Sequence, residues 1–176
     1  IMGVKAIPLY DPDSRVTGDK QAPATVTVVV LPCSEDAFPM PDKQFLEAVR
    51  KHLEQYRLIT TNVKVIGPVY IKISVYAEVI LESNSRESRE MDIEAAVKLY
   101  FETQRKGMPE GKPVFGQPVR ESIIATKIEA VPGVDFVKKI TLIARSNASY
   151  KDKYGNIIIP PHGLPYLGDM QIRILS

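Results

Sequence analysis

The chain has 176 residues, 44% of them hydrophobic and 25% charged, the make-up of an ordinary globular protein rather than a disordered or collagen-like one. Lys plus Arg number 23 against 21 Asp plus Glu, and the resulting +2 is too balanced for a dedicated nucleic-acid binder. A lone cysteine, Cys33, excludes an internal disulfide, and no apolar run approaches the roughly 18 residues of a membrane-spanning helix.

The opening IMGVKAIPLY lacks the charged start and small-residue cleavage site of a signal peptide, so an intracellular location is expected. The isoleucine before Met2 reads as the mark of a fragment. Residues 1–24 hold Pro8, Pro12, Pro23, Gly3 and Gly18, which predicts a loop-rich entry segment from a preceding domain, with a short strand at Val4 to Leu9. TVTVVVLP, Thr25 to Pro32, is β-branched almost throughout and apolar on both faces. It reads as a central strand that Pro32 ends, because proline cannot donate to the ladder.

Pro41 and Asp42 then start a helix on which Phe45, Leu46, Val49, Leu53 and Tyr56 recur at helical spacing to form the buried stripe. Asn62 to Ile66 is a short strand broken by Gly67-Pro68. From Val69 the odd-numbered residues to Leu81 are apolar. They alternate with Tyr70, Lys72, Ser74, Tyr76, Glu78, Ile80 and Glu82, the period of a strand with one face on a core. So long a strand should bend or project beyond its sheet. Asn84, Ser85 or Ser88 can cap the next helix, which carries Ile93, Ala96, Val97, Tyr100 and Phe101 at i, i+3, i+4, i+7 and i+8.

Gly107 to Pro118 holds three glycines and three prolines and is a loop. A short helix follows, with Val119, Ile123, Ile124, Ile128 and Val131 on its inner side. Pro132-Gly133 stops it before a strand from Phe136 to Ala144. Arg145 to Asp169 reads as a long, mostly irregular tail. Only Ile157 to Ile159 interrupts it, PPHGLPYL anchors it, and a closing strand runs from Met170 to Leu175. The order predicts an α+β fold on the split βαβ, ferredoxin-like plan: an antiparallel or mixed sheet with helices on one face, plus extra C-terminal strands.

Chemistry is hard to place on this frame. There is no Walker loop and no G-x-G-x-x-G after a strand, so nucleotide binding has no motif behind it. His52 falls on the first helix as a surface or boundary residue, and His162 sits in a turn within PPHGLP. With Cys33 they make at most three soft or imidazole ligands, short of a zinc site. Ser34, Glu35 and Asp36 follow Cys33, the wrong setting for a nucleophilic thiolate, so a hydrolase built on Cys33 or His162 is the weakest reading. Glu87, Glu90, Asp92 and Glu94, interleaved with Arg86 and Arg89, fit a solvated helix start better than paired catalytic carboxylates. Asn147-Ala148-Ser149 matches a glycosylation sequon by a pattern short enough to arise by chance.

Tyr70 and Tyr76, with Lys72 between them, would face outward on a ferredoxin-like sheet, where RNA-binding modules stack bases. Yet the aromatic signature of those modules is missing, and Glu78 and Glu82 share the face. An RNA- or ligand-binding module therefore stays the alternative to a protein-contact role. Tyr70, Tyr76, Tyr150 and Tyr154 are the candidate partner-facing residues, tyrosine being enriched at interfaces. No catalytic, cofactor or metal residue is assigned.

Four stretches resemble, in order and spacing, the C-terminal part of baseplate J-like proteins: TVTVVVLP, FLEAVRKHLEQYRLITTNVKVIGPVYIKISVYAEV, FGQPVRESIIATKIEAVPGVDFVKKITL and IPPHGLPYLGDMQIRI. These are baseplate assembly proteins of contractile phage tails and related injection systems. RLITTNVKVIGPVYIKISV and PHGLPYLGD carry most of the likeness, which covers Thr25 to Ser176. The resemblance implies a wedge component that associates with copies of itself and with other wedge proteins, without enzyme activity or cofactor. It implies a place in the host cytoplasm during assembly and then in the tail baseplate. Family members are longer, with further domains before this region.

Overall fold

The computed structural model describes residues 1–13, 22–82, 89–107 and 112–175. The cap candidates Asn84, Ser85 and Ser88, together with Arg86 and Glu87, lie outside the described residues. The chain divides into two compact units, Ile1–Val69 and Tyr70–Ser176.

The first unit holds β1 (Gly3–Pro8), β2 (Thr25–Leu31), α1 (Lys43–Glu54) and β3 (Asn62–Ile66). β2 is central in the order β1-β2-β3, antiparallel to β1 from Gly3↔Leu31 to Pro8↔Val26 and parallel to β3 from Thr25↔Asn62 to Val29↔Ile66. A parallel pair needs a long crossover, and α1 lies in it. Val29, Val30 and Leu31 are fully buried, as the two-sided apolar run of β2 requires. The Asp42 carboxylate caps α1 by accepting the Phe45 amide at 2.7 Å. Phe45, Leu46, Val49 and Leu53 are half-buried, and α1 packs against β3. Tyr56 does not share that stripe: the helix ends at Glu54 and leaves its ring 72% exposed.

The second unit holds β4 (Val69–Leu81), α2 (Arg89–Lys106), α3 (Glu121–Glu129), β5 (Val134–Ala144), β6 (Tyr150–Lys151), β7 (Ile157–Ile158) and β8 (Gly163–Leu175). Its sheet runs β5-β4-β8. β4 and β5 are antiparallel from Ile73↔Ala144 to Leu81↔Val134, with irregularities at Glu78/Val79 and Ile80/Leu81 that bend the long strand as expected. Ile71, Ile73, Val75, Ala77 and Val79 form one core with Ile93, Val97 and Phe101 of α2 and Ile124 and Ile128 of α3. Both helices therefore cover one face of the sheet. Ile123, expected on the inner side of α3, is 38% exposed, because Ile124 and Ile128, four residues apart, set the buried line.

The α+β class, with mixed sheets, three helices among the described residues and closing strands, is as the sequence predicts. The strands of the split βαβ reading are shared between two three-stranded sheets, with β3 paired to β2 and β4 to β5 and β8. The tail is also more regular than expected. β6 and β7 make a hairpin, and β8 begins at Gly163, seven residues before Met170. Gly163, Pro165 and Gly168 masked this start. An edge strand tolerates proline and glycine that a central strand does not. Leu164 is fully buried, in keeping with PPHGLPYL as an anchor.

Candidate interaction surfaces

Tyr76 stands on the face of β5-β4-β8 away from the helices, and Tyr70, at the start of β4, lies within the field of Arg105 of α2; both are half-buried. Burial pushes the Tyr70 phenol up to about 12, with Arg105 opposing. Tyr76, paired across β5 with Thr141, lines a cleft of about 310 Å³ with Glu78, Lys139, Gln171 and Arg173. The face is tied by polar contacts. Lys72 bridges Asp169 at 3.1 Å, the Ser74 hydroxyl donates to the same carboxylate at 3.5 Å, and Arg173 approaches Glu78 at 3.7 Å. Lys72 holds the Asp169 carboxyl below the usual carboxylate range. These contacts climb β4 and β8 in the same sense, as parallel neighbours do. Among the described residues of this face the signs alternate, unlike a basic stripe of the kind that tracks a phosphate backbone.

Tyr150 and Tyr154 lie elsewhere, on the β6–β7 hairpin, 65% and 71% exposed. Asp152 holds the turn. Its carboxylate accepts the amides of Tyr154 at 2.8 Å and Asn156 at 2.9 Å and the Asn156 side-chain NH₂ at 2.9 Å, which keeps its pKa low. Ile157 anchors the hairpin. It is buried and exchanges two 2.9 Å backbone hydrogen bonds with Val119. Lys153 sits 4.9 Å from the Tyr154 ring centroid, a cation–π arrangement at an exposed site. The four tyrosines thus divide between β4 and the hairpin.

Cys33 is exposed in the first unit, and His162 is buried in the turn before β8 of the second, where burial pushes its imidazole below the ordinary value. His52 is exposed, its ring 5.3 Å from that of Tyr56. Arg89 pairs with Asp92 at 3.5 Å at the start of α2. Among the described residues no cluster of three His, Cys, Asp or Glu side chains could hold a metal ion, and no helix is long and apolar enough to cross a membrane.

Two features escaped the sequence reading. The turn after α1 exposes Leu58 and Ile59, the latter by 97%, while the Arg57 guanidinium donates to the carbonyls of Leu58, Ile59 and Thr61. The polar row of β8, Asp169-Gln171-Arg173, is half visible in the alternation from Met170, but its place at a sheet edge is not.

No protein-family model matches the sequence, and no curated protein does. A solved structure does match the fold. A chain in the "Cryo-EM structure of the anti-feeding prophage (AFP) baseplate, 6-fold symmetrised" aligns over 96% of this chain with a TM-score of 0.59 and 19% identity. The match spans 34% of that longer chain. At this identity the likeness is one of fold.

Proposed function

We propose that this chain is a structural component of the baseplate of a contractile phage tail or prophage-type injection particle, acting by protein–protein assembly and not by catalysis. The observation that carries the reading is the fold match to an anti-feeding prophage baseplate chain across nearly the whole length. The sequence resemblance to baseplate J-like proteins, drawn from separate stretches of residues, supports the finer reading of a wedge component. On this reading residues 25–176 are the J-like C-terminal region, and the partners are other wedge proteins and further copies of the chain. The protein is made in the host cytoplasm and ends in the tail.

The exposed Tyr150 and Tyr154 are contact residues in this reading, with Tyr70 and Tyr76 on β4. The test is deletion of the chain from a system that produces complete particles, followed by electron microscopy and by affinity capture of particles carrying a tagged copy. We expect tubes or sheaths without baseplates in the deletion and the tagged chain at the particle end. Normal particles in its absence would overturn the proposal.

A further inference from the structure

We propose that two copies of this chain join edge to edge through β8, antiparallel about Gln171, to make one continuous six-stranded sheet. The inference deepens the assembly reading and rests on it for the presence of a second copy; the surface itself comes from the geometry.

β8 is the outer strand of the order β5-β4-β8, and among the described residues no strand lies on its other side. The opposite edge is different, since the β6–β7 hairpin packs against β5. α2 packs on β8 from the helix side, and an edge of this length with no strand beside it is a template for another strand unless its side chains forbid it. Pro165, which would interrupt pairing, lies outside Leu167–Leu175, so each of those residues keeps its amide donor.

The side chains select the occupant. Asp169 and Arg173 lie on the open face, as their contacts with Lys72 and Glu78 on β4 require, and Gln171 between them shares it. All three are exposed. Reversed upon itself about Gln171, this row places Asp169 opposite Arg173 of the second copy, Gln171 opposite Gln171, and Arg173 opposite Asp169. The pattern is its own complement, as an isologous two-fold contact demands.

The match extends one strand inward on each side. Lys72, Asp169, the second copy's Arg173 and its Glu78 then form a row of alternating sign across four strands, and the two-fold axis repeats it. On the helix side, half-buried Met170 falls opposite Ile172. A slip of one residue would put charged side chains on the apolar face, so the register is specified as well as the partner. The same charges reject a strand of unrelated sequence, for which like charges opposite one another are unfavourable.

Analytical ultracentrifugation of the 176-residue chain tests the pairing, with Arg173→Asp and Asp169→Arg as variants. Wild type is expected to show a concentration-dependent monomer–dimer equilibrium that weakens with salt. Each variant alone sets like charges across the axis twice and should raise the dissociation constant by roughly tenfold or more. An equimolar mixture restores opposite charges at every cross-strand position, so a heterodimer should return. Circular dichroism of each variant monitors the fold independently. A wild-type chain that stays monomeric at all concentrations, variants that dimerise like wild type, or a mixture no stronger than its components would each overturn the edge pairing. Those outcomes leave the baseplate reading intact if tagged chain still enters particles. A charge-dependent dimer from a chain absent from particles would sustain the pairing and remove that reading.

Discussion

Ile73→Ala tests the placement of the core directly. The Ile73 side chain is fully buried on the helix side of β4, among Ile71, Val75 and the apolar residues of α2 and α3. Removing three carbons forfeits about 2.4 kcal/mol, at ~0.8 kcal/mol per buried methylene. The sheet below and two helices above limit collapse, so the cavity should raise the cost to about 3–4 kcal/mol, within the ~2–5 kcal/mol of such truncations. With a urea slope near ~2 kcal/mol per molar, the midpoint should fall by about 1.5–2 M. Lys72→Ala, one residue earlier, removes an exposed bridge to Asp169 and the side-chain stem lying against Gly168, and should cost less than ~1 kcal/mol. Val69→Ala is a second control, because Val69 shares the odd-numbered phase yet is exposed at the strand's start. Urea titration followed by circular dichroism reads the midpoint, and amide exchange along β4 identifies which unit melts. Equal shifts for Ile73→Ala and Lys72→Ala would refute the assignment of faces.

Gly155 sits at φ +88°, and an added Cβ would lie 2.5 Å from the Glu121 carboxylate. Gly155→Ala should therefore speed amide exchange at Ile157 and Ile158 without moving β4, and unchanged protection would contradict the account of the turn. Burial lowers the pKa of folded His162 below the ~6.5 of the unfolded chain. The unfolded state then takes up the proton first, so stability is complete above about pH 6.5 and falls as pH drops through the folded value. Urea midpoints at pH 7.5 and 5 should show this slope, and His162→Gln should flatten it; an equal slope in the variant would assign the loss to other groups. Asp42→Ala removes the cap of α1 and should cost about 1 kcal/mol of helix stability, read as faster amide exchange at Phe45 and Leu46.

Most elements were legible because their signals were local. The alternation of β4, the β-branched run of β2 and the Ile93/Val97/Phe101 line of α2 each state a period and a buried face within a dozen residues or so. What local signals could not state was which strand joins which. Gly67-Pro68 separates β3 from β4 by two residues, and the first pairs with β2 while the second pairs with β5 and β8. The division into two sheets follows from those distant pairings, to which side-chain period is blind. β8 was shortened for a related reason. Glycine and proline are read as breaks, whereas an edge strand can carry both, and edge status is itself a property of the assembled sheet.

The candidate surfaces were legible only in part, and the difference between the tyrosines shows why. Tyrosine content alone pointed to Tyr70, Tyr76, Tyr150 and Tyr154 alike, but the fold half-covers the first two and leaves the others projecting from a hairpin. An enzyme site advertises itself by residue type, since few side chains can ligate a metal or take a proton. An assembly surface uses ordinary residues, and its information lies in their arrangement. Asp169, Gln171 and Arg173 are unremarked in sequence. They become a self-complementary row only when β8 lies at an edge with Lys72 and Glu78 beside it. A change at Gln171 that preserves the strand should accordingly matter less to pairing than reversal of either flanking charge, since the axis passes between two neutral side chains there.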